Sequence, residues 1–185
     1  MRIISGIHKG RRIQAPKKLP VRPTTDMSKE ALFNILRNQI HISGIKVLEL
    51  FAGSGNMSYE FGSRGAGSIL AVDEHMPCIA FIKKTAELLD LPIDTVKADV
   101  FTFLKNHKGS YDIIFADPPY ALEESQFLEI VDSIMEGNLV AEDGLVIIEH
   151  SKHTDLSSHP TFDNARKYGG TVFSFFKAPD SPNEG

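Results

Sequence analysis

The feature that most constrains the fold is an alternation of short apolar runs with helical segments, which begins near Ile45. The runs cover residues 46–51, 68–72, 95–98, 111–116 and 145–149, and candidate helices lie between them near residues 56–64, 76–90, 99–107 and 124–136. Strand, helix and strand repeated in this way require a mostly parallel sheet with helices on both faces. The sequence therefore predicts an α/β fold.

Both ends of the chain add elements to this core. The segments 2–5 and 11–14 flank a turn and predict a short basic hairpin, and Thr25 or Asp26 can cap a helix that leads into the core. The apolar run 172–176 follows a glycine turn and predicts late antiparallel strands at one sheet edge. We expect a basic arm at 1–25, one domain at 26–178 and a flexible tail at 179–185.

Charge is distributed unevenly along the chain. Residues 1–25 carry seven basic side chains and no acid, whereas the rest carries 13 basic and 24 acidic side chains. A basic arm on an acidic body can contact phosphates, although a solvated tail has the same composition. The single cysteine, Cys78, and apolar stretches that are short for a membrane span favour a cytoplasmic protein. We also expect a monomer, because no extended apolar stripe demands a partner, and no metal site, because the histidines show no ligand spacing.

A glycine turn follows the first predicted strand. Glu49 lies within this strand, and the turn that follows consists of Phe51, Ala52, Gly53, Ser54 and Gly55. Glycines here allow the backbone to approach a ligand closely at the carboxyl end of a strand. Ser58 replaces the third glycine of the dinucleotide fingerprint, which disfavours NAD and FAD. We therefore expect a different cofactor at this turn.

Acidic residues also follow the second and third strands. Asp73, or the adjacent Glu74, can accept hydrogen bonds from the ribose hydroxyls of an adenosyl group. Asp99, followed by Val100, can accept a hydrogen bond from an adenine amino group, and it can equally cap the next helix. An adenosyl cofactor along these strand ends is the resulting prediction.

The tetrapeptide Asp117-Pro118-Pro119-Tyr120 follows the fourth strand and indicates the chemistry. The prolines fix the backbone, so that the Asp117 carboxylate and the Pro118 carbonyl become adjacent acceptors beside an aromatic ring. Such acceptors suit a planar amino group, whose nitrogen becomes more nucleophilic when both N–H groups are held. The pattern predicts methyl transfer from S-adenosylmethionine to an exocyclic base nitrogen, catalysed mainly by positioning and electrostatics.

Four motifs together resemble the RsmD family of bacterial methyltransferases. They are the arm segments 2–6 and 9–12, the segment 22–26 with 29–34, the turn 51–55 and the loop 117–120. The resemblance implies a Rossmann-like class I fold with a seven-stranded sheet. It also implies transfer from S-adenosylmethionine to guanine N2 in 16S ribosomal RNA, on the free RNA or on an assembling 30S particle. The chain departs from the family pattern at 56–61, where smaller aliphatic residues are usual.

The same resemblance assigns residues to the two ligands. It places Arg22, Thr24 and Thr25 over the cofactor and target-base pocket, and it assigns RNA contacts to the basic arm. The RNA-binding candidates are Arg2, His8, Lys9, Arg11, Arg12 and Arg22.

Other functions share parts of this pattern. A DNA adenine or cytosine N-methyltransferase uses the same acceptor loop, but such enzymes usually carry an added recognition domain. A protein glutamine N-methyltransferase would leave the basic arm without a role. A catalytically silent RNA-binding module would not require the four acids at the strand ends.

Overall fold

The computed structural model describes residues 1–21 and 24–180 and shows five helices and seven strands in that part of the chain. In chain order they are α1 (Asp26–Arg37), β1 (Lys46–Leu50), α2 (Asn56–Ser63), β2 (Ser68–Asp73), α3 (Met76–Leu89), β3 (Ile93–Lys97), α4 (Val100–Asn106), β4 (Tyr111–Ala116), α5 (Glu124–Glu136), β5 (Val140–Ser151), β6 (Phe162–Tyr168) and β7 (Thr171–Phe176).

All seven strands form one sheet in the order β3-β2-β1-β4-β5-β7-β6. The first five strands are parallel, and β7 pairs antiparallel with both β5 and β6. This confirms the predicted α/β fold and its seven-stranded, mostly parallel sheet. The chain leaves β1 toward β2 on one side and reaches β4 on the other, so a topological switch point lies between β1 and β4. Ligands of open α/β sheets bind outside the carboxyl ends of the strands at such a point.

Helices cover both faces of the sheet. On one face, α1 and α2 contribute Phe33 and Phe61, whose rings meet edge to face at 4.8 Å over buried strand residues. On the other face, α4 and α5 bury Leu104 and Ile130 against the same strands. Because both faces are covered, β1 and β4 are apolar along most of their length.

Local capping explains where several helices begin. The Thr25 hydroxyl accepts a hydrogen bond from Ser28 N at the start of α1, and Asp99 does the same for Thr102 N at the start of α4. A reciprocal capping box between Glu123 and Gln126 begins α5. The predicted helix start at Thr25 or Asp26 is therefore correct, with Thr25 as the cap.

The amino-terminal hairpin is shorter than the two predicted strands. It holds a single antiparallel bridge, between Arg2 and Arg12, and turns through Gly6 and Gly10. The hairpin packs on the body, since Ile3 is almost completely buried and Ile7 N donates to Ser63 O at 2.8 Å. Backbone hydrogen bonds between its arms, such as Ile3 N to Arg11 O and Ile13 N to Met1 O, act together with this packing.

Among the strands, β5 differs most from its predicted limits, because it is much longer than the apolar run 145–149. The predicted late antiparallel strands at one sheet edge are confirmed as β7 and β6, with β6 outermost. In the part of the chain that the structure describes, no helix is long and apolar enough to cross a bilayer. Most of the predicted flexible tail, residues 181–185, lies outside the described residues.

Candidate active site

A large open cleft lies at the carboxyl edge of the parallel strands. Its volume is about 1650 Å³, and its walls are the ends of β1, β2 and β4, the start of α4 and the arm segment 12–21. Small-molecule sites usually measure about 300–1,000 Å³. The cleft therefore has room for a cofactor together with part of a second ligand.

The glycine turn after β1 forms the floor of this cleft. Phe51, Gly53 and Gly55 have positive φ values of 55°, 56° and 83°, so the chain reverses within five residues. A Cβ on Gly53 would lie 3.0 Å from the Val21 side chain, which folds over the turn. Phe51, Ala52, Gly53 and Ser54 line the cleft, whereas Gly55 lies behind it as the cap of α2.

Asp73 ends β2 beside the turn and is bonded to it. Its Oδ2 accepts a hydrogen bond from Gly53 N, and its Oδ1 accepts one from His75 N, both at 2.9 Å. An ionised carboxylate has about four acceptor sites, so both oxygens can accept further bonds from a ligand in the cleft. Glu74, the alternative predicted from the sequence, also lines the cleft and is exposed.

Glu49 is a buried acid beneath the glycine turn. It is only 3% exposed, and its Oε2 accepts from Ser58 N at 2.9 Å and from the Ser58 hydroxyl. Burial, with smaller contributions from Asp117 and Asp73, raises the pKa of Glu49 to about 8. The Ser58 contacts act in the opposite direction. A positive ligand group beside Glu49 would favour its ionised form.

Asp99 and Val100 form the third part of the cleft wall. Asp99 Oδ2 accepts from Thr102 N at 2.9 Å and from Thr102 Oγ1 at 3.0 Å, and the residue is exposed. Both capping contacts use one carboxylate oxygen. Capping of α4 therefore leaves Oδ1 able to accept the hydrogen bond from an adenine amino group that the sequence also predicted.

The loop of residues 117–120, called the acceptor loop below, lies at the mouth of the cleft. Asp117, Pro118, Pro119 and Tyr120 all line it, directly after the last residue of β4. Pro118 is buried and Asp117 is half-buried, whereas the Tyr120 ring is 61% exposed. One cleft therefore contains the glycine turn, the strand-end acids and the proline loop that the sequence singled out separately.

The remaining site candidates occupy several positions. Thr24 lines the cleft, but Thr25 caps α1 and does not line it; Arg22 lies outside the described residues. Arg2 and Arg12 reach the rim of the cleft. Lys9 and Arg11 are exposed on the hairpin away from it, and the ring of His8 is hydrogen-bonded to Leu89 O at 2.7 Å.

Sequence reasoning missed a buried ionic network behind the cleft wall. Lys29 Nζ donates to Arg2 O at 2.5 Å and to Asn56 Oδ1 at 2.8 Å, and it lies 3.3 Å from Glu60 Oε1. The side chains of Lys29 and Glu60 are completely buried. A lysine on an otherwise apolar helix face was the one available indication. Asn56, where the chain departs from the family pattern, is part of this network and lines the cleft.

The described residues include no group of three or more histidine, cysteine or acidic side chains arranged to hold a metal ion. Glu49, Asp73 and Asp99 instead lie at the ends of different strands, and each accepts a hydrogen bond from a backbone N–H group. Their arrangement fits an organic cofactor with hydroxyl, amino and cationic groups.

Comparisons with known proteins agree with this geometry. The family described as "Conserved hypothetical protein 95" matches residues 1–177. The chain is 30% identical to the ribosomal RNA small subunit methyltransferase D of Escherichia coli, across 86% of this chain and 79% of that protein.

Two solved structures share the fold. A hypothetical protein of Thermus thermophilus superposes with a TM-score of 0.83 at 25% identity, over 96% of this chain and 99% of that one. The ribosomal protein L11 methylase of Lactobacillus delbrueckii has a TM-score of 0.65 at 18% identity, over 84% and 80% of the two chains. The chain belongs to the RsmD-type methyltransferase family and has the Rossmann-like class I fold. Family and fold imply a cofactor of the S-adenosylmethionine type.

Proposed function

We propose that this protein transfers a methyl group from S-adenosylmethionine to the exocyclic N2 of a guanine in small-subunit ribosomal RNA. The observation that carries the proposal is the single cleft of about 1650 Å³, which combines a cofactor turn with the Asp117–Tyr120 acceptor loop. The name of the Escherichia coli relative supports ribosomal RNA as the substrate. The basic arm beside the cleft supports a nucleic acid.

The strand-end acids would hold the cofactor. Asp73 would accept the ribose hydroxyls, Asp99 Oδ1 the adenine amino group, and Glu49 would stabilise the positive charge of the amino acid part. When bound, S-adenosylmethionine supplies an electrophilic methyl group. Glycine at position 53 allows the positive φ of this turn and leaves room for the Val21 side chain, 3.0 Å from where a Cβ would lie.

The acceptor loop would prepare the nucleophile. An exocyclic amine is a weak nucleophile because its lone pair is delocalised into the base. The Asp117 carboxylate and the Pro118 carbonyl would accept its two N–H groups, which directs the lone pair toward the methyl group. The methylated nitrogen would then lose one proton to Asp117 or to water, and the Tyr120 ring at the rim would stack on the base.

The test is transfer of radiolabelled methyl to small ribosomal subunits, free ribosomal RNA, DNA and total protein, followed by nucleoside analysis. We expect N2-methylguanosine from small-subunit RNA. Label in methyladenine or methylcytosine of DNA would overturn the substrate, and label in protein glutamine would do the same. No transfer to any substrate, despite cofactor binding, would favour the silent RNA-binding module.

An Asp117→Asn variant tests the loop chemistry. Loss of a charged acceptor at the reacting amine should lower kcat by about 100-fold or more, with cofactor affinity nearly unchanged. Glu142→Gln, an exposed change at the opposite end of the sheet in β5, is the matched control. If Asp117→Asn weakened cofactor binding as strongly as it lowered kcat, the role of Asp117 as the amine acceptor would be contradicted.

A further inference from the structure

A second, smaller groove lies at the other end of α1 and α2. Both helices begin at the cleft and end at this groove, which has a volume of about 260 Å³. At about 1.5 Å per residue, the two helices separate groove and cleft by roughly 12–18 Å. Ser5 and Gly6 of the hairpin form one wall, and Arg37, His41 and Arg64 lie on the others.

The groove is basic within an acidic body. Two arginines and a histidine line it, and among the described residues no acidic side chain lines it. After residue 25 the chain carries 24 acidic but only 13 basic side chains. A surface lined by basic side chains without acidic ones is therefore unusual for this part of the protein. The helix C-termini add about half a negative charge each, and Glu60 pairs with both Arg64 and Lys29, so that Arg37 and this buried network together leave the groove positive.

Arg64 is held in place before any ligand arrives. Its Nε donates to Glu60 Oε2 at 2.9 Å, and its guanidinium lies 4.2 Å from the centre of the Phe33 ring. The side chain is only 16% exposed. Since the contact with Glu60 uses Nε, the Nη groups can donate to an anion in the groove. A fixed donor costs little conformational entropy on binding.

The hairpin connects the groove with the cleft. Arg2 and Arg12 lie at the cleft rim, and the same short hairpin presents Ser5 and Gly6 at the groove. The exposed side chains of Lys9 and Arg11 lie on this hairpin too. A nucleic-acid strand that follows the hairpin from the cleft would thus reach Arg37 and His41.

We infer that this groove binds the sugar-phosphate backbone of the RNA at a distance from the methylated base. The inference rests on the proposed function and deepens it, because it adds a second contact region to the same substrate. Phosphate is the fitting ligand group, since guanidinium groups bind its oxygens with directed hydrogen bonds. The contact raises affinity for a large folded RNA and leaves the chemistry at Asp117 unchanged.

The experiment compares Arg37→Ala/His41→Ala with Lys83→Ala/Lys84→Ala. Both double variants change exposed residues, and Lys83 and Lys84 on α3 line neither cavity. With free small-subunit RNA as substrate, KM should rise about tenfold in the first variant only, while kcat and cofactor affinity stay unchanged. The salt dependence of RNA binding should also decrease, by about 0.7 in slope for each lost phosphate contact.

The alternatives have separate outcomes. If the unmodified protein methylates the RNA and both double variants have the same KM, the inference about the groove is overturned while the proposed function stands. A defect that occurs on assembled particles but not on free RNA would assign the groove to a ribosomal protein and overturn it too. Failure of the unmodified protein to methylate any RNA would refute the proposed function before the variants are compared.

Discussion

At the scale of single residues, Glu49 combines a structural contact with a position in the cleft wall. Its carboxyl group contacts the first turn of α2 through Ser58, directly beneath the glycine turn. A helix amino terminus favours an anion, but the loss of water contacts is the larger effect and raises the pKa of Glu49 to about 8. The protein without ligand therefore holds this acid mostly protonated at neutral pH.

The raised pKa predicts how stability depends on pH. Between pH 4.5 and about 8 the unfolded chain loses this proton while the folded protein keeps it. The free energy of unfolding should therefore fall by roughly 1.4 kcal/mol per pH unit in this range and level off above it. In Glu49→Gln this part of the slope should disappear, whereas Glu74→Gln, at the same edge, should keep it. Urea unfolding from pH 5 to 9 measures the difference, and identical slopes in all three proteins would contradict it.

Gly55 offers a second test, with Gly10 as its matched control. Both have a φ of +83°, but a Cβ on Gly55 would lie 2.8 Å from Tyr59 and 2.9 Å from Ile82, whereas nothing lies within 4 Å at Gly10. Gly10→Ala should cost about 1 kcal/mol, the left-handed backbone penalty alone. Gly55→Ala should cost about 2–4 kcal/mol because overpacking is added. If Gly55→Ala and Gly10→Ala lowered the free energy of unfolding by the same amount, the turn would be shown to adjust without added strain.

The sequence predicted which acids lie together at the strand ends. Glu49, Asp73 and Asp117 lie in or directly after recognisable apolar runs, and parallel strands bring their carboxyl ends together. Val21 and Lys29 could not be found in this way. Their contacts with the turn and with α2 join segments far apart in sequence, and no local pattern encodes such contacts.

At the scale of elements, the network around Lys29 joins the hairpin, α1 and α2. Glu60 accepts hydrogen bonds from Ile4 N at 2.8 Å and Ser5 N at 3.2 Å, and it is paired with Lys29 and Arg64. Burial lowers the pKa of Lys29, and Glu60 partly opposes this effect. The hairpin therefore keeps its position through charged contacts, although it forms only one bridge.

Lys29→Met should be strongly destabilising. The variant removes one of the two cations that pair with the buried Glu60 charge, and breaking a buried pair in this way typically costs about 3–5 kcal/mol. Lys177→Met is the control, because Lys177 forms an exposed pair with Asp163 at 3.6 Å, and such pairs contribute about 0–1 kcal/mol. Chemical unfolding compares the two variants. A loss below about 1 kcal/mol in Lys29→Met would show that Glu60 is satisfied by its backbone donors and Arg64.

The limits of an element were predicted correctly where its apolar residues follow a single periodicity throughout. α5 was predicted at 124–136 and observed there, because its apolar face and its capping box agree. The length of β5 was missed, since Glu142, Asp143 and Gly144 interrupt its apolar pattern, and its first residue joins the sheet through pairing between Tyr111 and Val140. The strands of the hairpin were predicted too long because pairing is limited to the residues around the Arg2–Arg12 bridge, whereas Ile7 N donates to Ser63 O of α2 instead.

At the scale of the whole molecule, opposite charges occupy neighbouring surfaces. The cleft contains Glu49, Asp73 and Asp117, which suit a cationic cofactor, and its rim carries Arg2 and Arg12, which suit a polyanion. The net charge of −4 conceals this division. Electrostatic attraction of RNA should therefore depend on the arm and not on the overall charge.

Salt dependence tests whether the arm engages RNA. Arg11 and Arg12 are both exposed, but only Arg12 reaches the cleft. Because each neutralised phosphate releases counterions, Arg11→Ala/Arg12→Ala should reduce the slope of log K against log salt by about 1.4 on single-stranded RNA. The Lys83→Ala/Lys84→Ala control should keep the slope, although it removes the same net charge. An equal reduction in both variants would show that RNA responds to the total charge of the protein, and an unchanged slope would place the arm outside the interface.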